Sequence, residues 1–223
     1  MSDEQAEPTV EPQEEVKEAK KTRVKKSEGV PGEVKEAERT PEEEEEYLDR
    51  QFPAGKSEMS TSAKYFYKFC EGLGIEMGFG GFALKKDSLT MDLPNAYTSV
   101  GDDKQILRGH CGDLSGFCDE SLSWIASAHL LEDFAYAECV KIIAEWRRVL
   151  KPGGYIMTNC PSQSRFIAHC AKTGQPGNDA HVEGSFSLET FRSEILAKTG
   201  PWTEVFVKPE HGPYSFLIVV QKP

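Results

Sequence analysis

Three closely spaced glycines and a following carboxylate are the residues in this chain best suited to bind a small ligand. Gly78, Gly80 and Gly81 follow a short apolar run, and Asp92 ends a second apolar run eleven residues after Gly81. Glycines after one strand let the backbone approach a ligand, and an acid at the tip of the next strand reaches a ribose hydroxyl. The pattern therefore favours a nucleotide-sized ligand, although the same glycines could form an unliganded turn between two strands.

The surrounding apolar patterns predict the elements that would position these residues. Apolar runs alternate with stretches of helical periodicity, and a closing pair of runs flanks a turn, Pro209–Pro213. We expect strands at Ile75–Phe79, Ser88–Leu93, Ile106–Cys111, Leu122–Ala128, Tyr155–Cys160, Thr203–Val207 and Ser215–Val220. We expect helices at Ala63–Leu73, Tyr136–Leu150, Arg165–Lys172 and Ser187–Lys198. The fold class predicted is α/β, a Rossmann-like open, mostly parallel sheet of about seven strands with a closing antiparallel hairpin and a shortened first crossover helix.

A dinucleotide-binding domain is the nearest alternative for the glycine segment. Gly78 to Ala83 satisfies the pattern G-x-G-x-x-A. That fingerprint expects its acid about 20 residues onward, after a full crossover helix. Here Asp92 lies fourteen residues after Gly78, and Phe82–Asp87 leaves room for little more than one helical turn. The spacing argues against a nicotinamide cofactor.

Charge divides the chain into two parts. Residues 1–50 hold 17 Asp and Glu against 9 Lys and Arg, whereas the remaining residues hold 20 against 17. We predict a disordered acidic tail over residues 1–60, with a short helix over residues 41–52 preceded by the capping box of Thr40 and Glu43. Residues 61–223 form the predicted folded domain. The tail helix could dock a protein partner or remain a solvated helix.

Several classes of partner are disfavoured by composition. The domain lacks a basic stripe with interleaved aromatic residues, so nucleic acid is an unlikely partner. No apolar run approaches the roughly 18 residues that span a bilayer, so we expect no membrane partner and a soluble, cytoplasmic protein. The six cysteines include no C-x-x-C pair and are expected to be reduced. A zinc site at His110, Cys111, Cys118 and His129 matches no usual ligand spacing, and no metal is predicted.

Three segments in this order resemble the class I S-adenosylmethionine-dependent methyltransferases of the methyltransferase-11 type. The first is Glu76–Gly81, and the second is Gly112–Leu114 followed by Asp119–Glu132. The third, Trp146–Gly154, reads W-R-R-V-L-K-P-G-G and is the most specific, since a helix ends there directly before a strand. The resemblance covers roughly residues 74–159, and more loosely the chain to Pro223. It identifies residues 61–223 as a methyltransferase-like domain with S-adenosylmethionine as its cofactor.

The resemblance implies a role for individual residues. Glu76 would lie near the ammonium of the methionine moiety, and Asp92 would accept from both ribose hydroxyls. Asp113 would accept from the adenine amino group, with the Leu114 amide at the ring edge. The cofactor-binding residues implied are Glu76, Gly78, Gly80, Gly81, Asp92, Leu93, Asp113, Leu114 and Ala128.

His129 is the candidate catalytic residue. A residue just past the fourth strand faces the crevice at the carboxyl ends of the strands, where a base could take a proton from the methyl acceptor. Hydrogen bonding to the loop residues Glu132 and Asp133 is an equally reasonable role for this histidine. The loop Gly174–Asp179 could cover the acceptor site or form a solvated surface loop.

The sequence departs from the family pattern at two points. Phe82 stands where the third glycine is usual, and the first crossover leaves no room for a full helix. One sheet face therefore needs another cover, for which we expect the Ala63–Leu73 helix. The function predicted is methyl transfer to an unidentified small-molecule or protein acceptor. The alternative is a catalytically weak or inactive module that acts in binding or in assembly of a larger complex.

Overall fold

The computed structural model describes residues 40–52, 55, 57–94 and 103–223. Its strands are β1 (Gly74–Met77), β2 (Leu89–Asp92), β3 (Leu107–Arg108), β4 (Leu122–Ala128), β5 (Leu150–Pro161), β6 (Thr203–His211) and β7 (Ser215–Gln221). Its main helices are α1 (Pro41–Gln51), α2 (Glu58–Phe66), α3 (Tyr136–Val149) and α4 (Gln163–Thr173). A fifth helical segment, α5, joins Leu188–Thr190, the π-helical turns Phe191–Leu196 and Ala197–Thr199. None of the helices described is long and apolar enough to cross a membrane.

The seven strands form one sheet in the order β3-β2-β1-β4-β5-β7-β6. Strands β1 to β5 pair in parallel, whereas β7 pairs antiparallel with both β5 and β6. The predicted fold class is confirmed. Strand order reverses between β1 and β4, and in open α/β sheets ligands bind in the crevice beyond the carboxyl ends of strands at such a reversal.

One face of the sheet is covered by α3 and α5. The apolar stripe of α3 buries Ile142, Ile143 and Trp146 against the strands, in a cluster that includes the π-helical residues Phe191 and Ile195. This packing removes large apolar side chains from water, the main favourable term in folding. Helix α3 ends at Val149, and β5 begins at the next residue, Leu150, rather than at the predicted Tyr155. The segment Lys151–Gly154, which was expected to separate the helix from the strand, is therefore part of the strand.

The other face is covered by α2. Its residues Ala63 and Phe66 pack with Trp124 of β4 and Met157 of β5. No helix is formed between β1 and β2, since residues 78–88 run in turns and bends. The crossover is short, as predicted, but the shortened helix expected in it is absent. A helix from the N-terminal side supplies the cover, as expected.

The covering helix begins earlier than the sequence analysis predicted. It starts at Glu58 rather than Ala63, because the Ser57 hydroxyl accepts the backbone N–H of Ser60 at 3.1 Å and caps the helix. The helix proper ends at Phe66, followed by a 3₁₀ turn over Tyr67–Phe69. Ser57 and Met59 are buried, so the folded part of the chain begins before the predicted boundary at residue 61.

Helix α1 packs near α2 and has the predicted capping box. The Thr40 hydroxyl accepts the N–H of Glu43 at 3.2 Å, and the Glu43 carboxylate accepts the N–H of Thr40 at 2.9 Å. Lys64 of α2 forms an ion pair with Asp49 at 2.6 Å. The remainder of the predicted acidic tail, residues 1–39, lies outside the described residues, and its predicted disorder stays a prediction.

Candidate functional site

Two cavities open beyond the carboxyl ends of β1, β2 and β4. The Asp92 cavity has a volume of about 460 Å³, and its walls include Asp92, Leu93, His110, Cys111, Leu130 and Phe134. The Glu58 cavity has a volume of about 500 Å³, and its walls include Glu58, Glu132, Phe166, Asn178, His181 and Tyr214. Gly78 and His129 line both cavities. The two spaces therefore meet where β1 and β4 end.

Asp92 presents a carboxylate to the first cavity. The side chain is partly buried at the end of β2, and one oxygen accepts the Leu93 N–H at 2.7 Å. Burial raises the pKa of Asp92, while that hydrogen bond from the Leu93 amide lowers it. Gln105 bonds to the Asp92 carbonyl at 2.7 Å and holds the strand end in place. An acceptor is thus set at the tip of the second strand, as predicted.

Gly78 is required both by its backbone conformation and by close packing. Its φ angle is +66°, in the left-handed region that favours glycine. A Cβ atom placed there would lie 2.9 Å from Cδ1 of Leu130. Gly80 lines the Glu58 cavity, whereas Gly81 is buried outside both cavities and its carbonyl accepts the N–H of Asp103 at 3.1 Å. Of the three predicted glycines, two line the site.

Glu76 does not line either cavity, contrary to its expected position near a ligand ammonium. Its side chain is only 1% exposed, and Oε1 accepts from the Leu84 amide at 2.7 Å and the Ser88 hydroxyl at 2.8 Å. Burial raises the pKa of Glu76 to about 8. The short crossover folds back over β1, and its residues Leu84 and Ser88 donate hydrogen bonds to this carboxyl group. Glu76 therefore stabilises the conformation of the crossover that contains the glycines.

Asp113 and Leu114 are also outside both cavities. Strand β3 ends at Arg108, and the chain turns through Gly109–Gly112 before reaching Asp113. Asp113 is exposed, and its carboxylate accepts the Ser115 N–H at 3.2 Å, while the Leu114 side chain is fully buried in the core. The wall expected from these two residues is formed instead by His110 and Cys111.

His110 and Cys111 were missed by the sequence analysis as cavity residues. The Nδ1 atom of His110 accepts the Gly112 N–H at 3.0 Å, which closes the turn. Its ring makes an edge contact with Phe134, with centroids 5.4 Å apart. The signal available in the sequence was the pair Gly109 and Gly112, which brackets this turn.

His129 lies between the two cavities in a strained conformation. Its φ angle is +49°, which is uncommon for a residue with a side chain. The Nε2 atom is 2.9 Å from the Ser215 hydroxyl and 3.8 Å from Oε2 of Glu58, and Nδ1 is 3.5 Å from Oε1 of Glu132. Burial, followed by the charge of His181, lowers the pKa of His129 to about 3. The imidazole is therefore neutral near pH 7.

Glu132 is the most deeply buried acid of the Glu58 cavity. It is 1% exposed, and its Oε2 atom has no hydrogen-bond partner among the described residues. Burial raises the pKa of Glu132 well above its ordinary value. Nε2 of His181 lies 3.9 Å from Oε1 of Glu132, and Nδ1 of His181 is 2.8 Å from Gln163. The hydrogen bond predicted between His129 and the Glu132 loop corresponds to the 3.5 Å contact between Nδ1 of His129 and Oε1 of Glu132.

The loop Gly174–Asp179 reaches the second cavity. Gln175, Pro176, Gly177 and Asn178 all line it, together with Ala128 from the end of β4. The loop therefore covers one side of the Glu58 cavity. Among the described residues, no group of three or more His, Cys, Asp or Glu side chains is placed to hold a metal ion.

Comparison with known proteins identifies the class of fold. Residues 85–158 match the family model described as a methyltransferase domain, a stretch that runs from the β1–β2 crossover into β5. No curated protein matches the sequence significantly.

Solved structures resemble most of the chain. A methyltransferase from Archaeoglobus fulgidus, described as dependent on S-adenosylmethionine, is 12% identical with a TM-score of 0.58, over 80% of this chain and 99% of that one. The PH0226 protein from Pyrococcus horikoshii is 14% identical with a TM-score of 0.55, over 81% and 99%. An S-adenosylmethionine-dependent methyltransferase from Mesorhizobium loti is 10% identical with a TM-score of 0.51, over 75% and 99%. At such identities the likeness shows the fold.

The family match and the strand order agree with the resemblance found in the sequence. Residues 85–158 thus match the methyltransferase domain model, and the chain has the fold of the S-adenosylmethionine-dependent methyltransferases with which it is compared.

Proposed function

We propose that the protein transfers the methyl group of S-adenosylmethionine to an acceptor bound in the Glu58 cavity. The observation that supports this proposal most directly is that two cavities of ligand size meet at Gly78 and His129. Volumes of about 460 and 500 Å³ lie in the usual range of small-ligand sites, about 300–1,000 Å³. One cavity accommodates the cofactor, and the other accommodates the acceptor.

The residues of the Asp92 cavity fit a nucleoside. The Asp92 carboxylate keeps acceptor capacity beyond its single bond to the Leu93 amide, and the ribose hydroxyls are donors. Leu93 and Phe134 provide apolar surface beside it, and His110 provides a polar ring. Gly78 has no side chain at the point where the two cavities join, so backbone and ligand can approach closely.

The cofactor supplies an activated methyl group, and the protein mainly supplies proximity and orientation. Gly78 and Leu130 shape the passage from one cavity to the other. His129, neutral because of its lowered pKa, offers a hydrogen bond at that passage rather than a strong base. Its ring is held by Ser215 on one side and faces Glu132 on the other. We therefore propose that His129 orients the acceptor.

Transfer of labelled methyl groups tests the proposed function. The full chain is incubated with methyl-labelled S-adenosylmethionine and a fractionated cell extract. We expect label to appear in one extract component with the wild-type chain and to be lost with Asp92→Ala. The matched control is Asp87→Ala, which removes an exposed acid that lies in the β1–β2 crossover and outside both cavities.

The alternative function is a binding or assembly module without catalysis. Phe82 in place of a third glycine and the missing crossover helix are the observations that favour it. A chain that binds the cofactor but transfers no label to any fraction supports this alternative. Label transfer that depends on Asp92 excludes it.

A further inference from the structure

The acidic character of the Glu58 cavity distinguishes it from the Asp92 cavity. Two glutamates line it, and none of its described lining residues is lysine or arginine. Burial lowers the pKa values of His129 and His181, so both rings are neutral near pH 7. Burial raises the pKa of Glu132 well above its ordinary value and favours its neutral form, so the partly exposed Glu58 is the source of formal charge in this cavity, and it favours a cationic ligand.

The glutamates are open to a ligand in different ways. Glu58 begins α2 with its side chain 43% exposed, and its carboxylate interacts with the Tyr214 hydroxyl and lies 3.8 Å from Nε2 of His129. A carboxylate keeps further acceptor capacity beyond such a contact. Oε2 of Glu132 is buried without a hydrogen-bond partner among the described residues. A buried acceptor of this kind is costly unless a donor reaches it. A ligand that donates N–H groups would satisfy both side chains.

Aromatic rings form another part of the same cavity. Phe166 and Tyr214 meet edge to face with centroids 5.1 Å apart. The ring of Phe166 also lies 4.8 Å from that of His181, and Tyr214 lies 5.8 Å from His129. Aromatic faces beside carboxylates attract ammonium groups through cation–π interaction. The combination is characteristic of sites for organic cations.

We propose that the methyl acceptor is a small-molecule primary or secondary amine, bound in the Glu58 cavity through Glu58, Phe166 and Tyr214. This inference rests on the proposed function. A small molecule is favoured over a larger acceptor because the cavity is bounded by α2, α4, the loop Gln175–Asn178 and the β6–β7 turn.

Glu58 has a defined task in such a reaction. The Glu58 carboxylate takes one proton from the ammonium group, which frees the nitrogen lone pair. That lone pair forms the new bond to the methyl carbon, and the methyl–sulfur bond breaks with its electron pair staying on sulfur. Burial raises the pKa of Glu58 and makes it a stronger base than an exposed glutamate. The products are the methylated ammonium and the neutral thioether.

Binding of three matched probes tests the inference. Benzylamine, benzyl alcohol and benzoate are titrated against the full chain by ligand-observed nuclear magnetic resonance, with and without S-adenosylhomocysteine. We expect benzylamine to bind about tenfold or more tightly than benzyl alcohol, because a hydrogen bond to a charged group adds that much affinity. We expect benzoate to bind most weakly of the three. Glu58→Gln should remove this preference, whereas the exposed, remote Glu189→Gln should retain it.

Other outcomes overturn the inference. They are equal or tighter binding of the alcohol or benzoate, no benzylamine binding, or an amine preference that survives Glu58→Gln. S-Adenosylhomocysteine binding is measured separately on the same samples. Its loss contradicts the proposed function, whereas cofactor binding without amine preference contradicts only the identity of the acceptor.

Discussion

The indole Nε1 of Trp146 donates a hydrogen bond to the backbone carbonyl of Cys111 at 2.8 Å. Trp146 is fully buried in α3, and Cys111 forms part of the Asp92 cavity wall. Nearby, Arg148 donates to the carbonyls of Leu114 and Phe117, at 2.9 and 3.1 Å. The W-R-R-V-L-K-P-G-G segment thus does more than end a helix, because its side chains hold the loop after β3.

Removing the indole N–H should weaken cofactor binding without changing any cavity side chain. Trp146→Phe leaves the buried Cys111 carbonyl without its donor, which should lower the free energy of unfolding by about 1–3 kcal/mol. The turn carrying His110 should then become less ordered, and S-adenosylhomocysteine should bind more weakly by calorimetry. Trp202→Phe is the control, since its N–H bonds to Thr199 away from the cavities. Equal effects of the two changes would contradict this role.

Alanine at Gly78 should disturb both folding and binding. The φ angle of +66° and the 2.9 Å approach to Leu130 together predict a loss of about 1–3 kcal/mol in unfolding free energy. Cofactor binding should be lost as well, because the new methyl group lies where the cavities join. Gly116→Ala provides the comparison, since no atom lies within 4 Å of its added Cβ. A stable, cofactor-binding Gly78→Ala chain would disprove the requirement.

Glu76 should make stability fall as pH rises. Its pKa is near 8 in the folded chain because of burial, above the ordinary value of 4.5, so the folded state holds a proton that the unfolded state releases. Stability from this group is complete below about pH 4.5 and is lost as pH rises through 8, by about 5 kcal/mol in all. Denaturant unfolding at several pH values should show that slope in wild type and a flatter one in Glu76→Gln. If the unfolding free energies of wild type and Glu76→Gln changed in parallel with pH, the raised pKa of Glu76 would be contradicted.

His129 should remain neutral throughout the ordinary pH range. With its pKa lowered to about 3, its ring resonances should not titrate between pH 5 and 8. Its φ angle of +49° predicts that His129→Asn is tolerated better than His129→Val, because asparagine adopts the left-handed region more readily. We expect the valine variant to be less stable by about 1–3 kcal/mol in thermal unfolding. A ring that titrates near pH 6.5 would rule out the proposed neutral state.

The strands and the position of the site followed from local patterns in the sequence. Strand β4 matches its predicted bounds, Leu122–Ala128, because a continuous apolar run of that length fits a buried parallel strand. The end of each parallel strand then placed Asp92 and His129 at one edge of the sheet.

Residues that depend on long-range packing did not follow from local patterns. Glu58 and Tyr214 belong to segments distant in sequence, and only the assembled fold brings them to one cavity. Asp113 was misplaced because β3 is only two residues long and the chain turns before reaching it. Glu76 was misplaced because the shortened crossover folds back and bonds to its carboxyl group.

Calorimetric titration of the full chain with S-adenosylmethionine tests the central claim, that the Asp92 cavity binds this cofactor. We predict one binding site per chain and a loss of about tenfold or more in affinity for Asp92→Asn, which removes the charge of the acceptor while keeping its shape. No measurable heat at millimolar cofactor, or equal affinity of wild type and Asp92→Asn, would contradict the account.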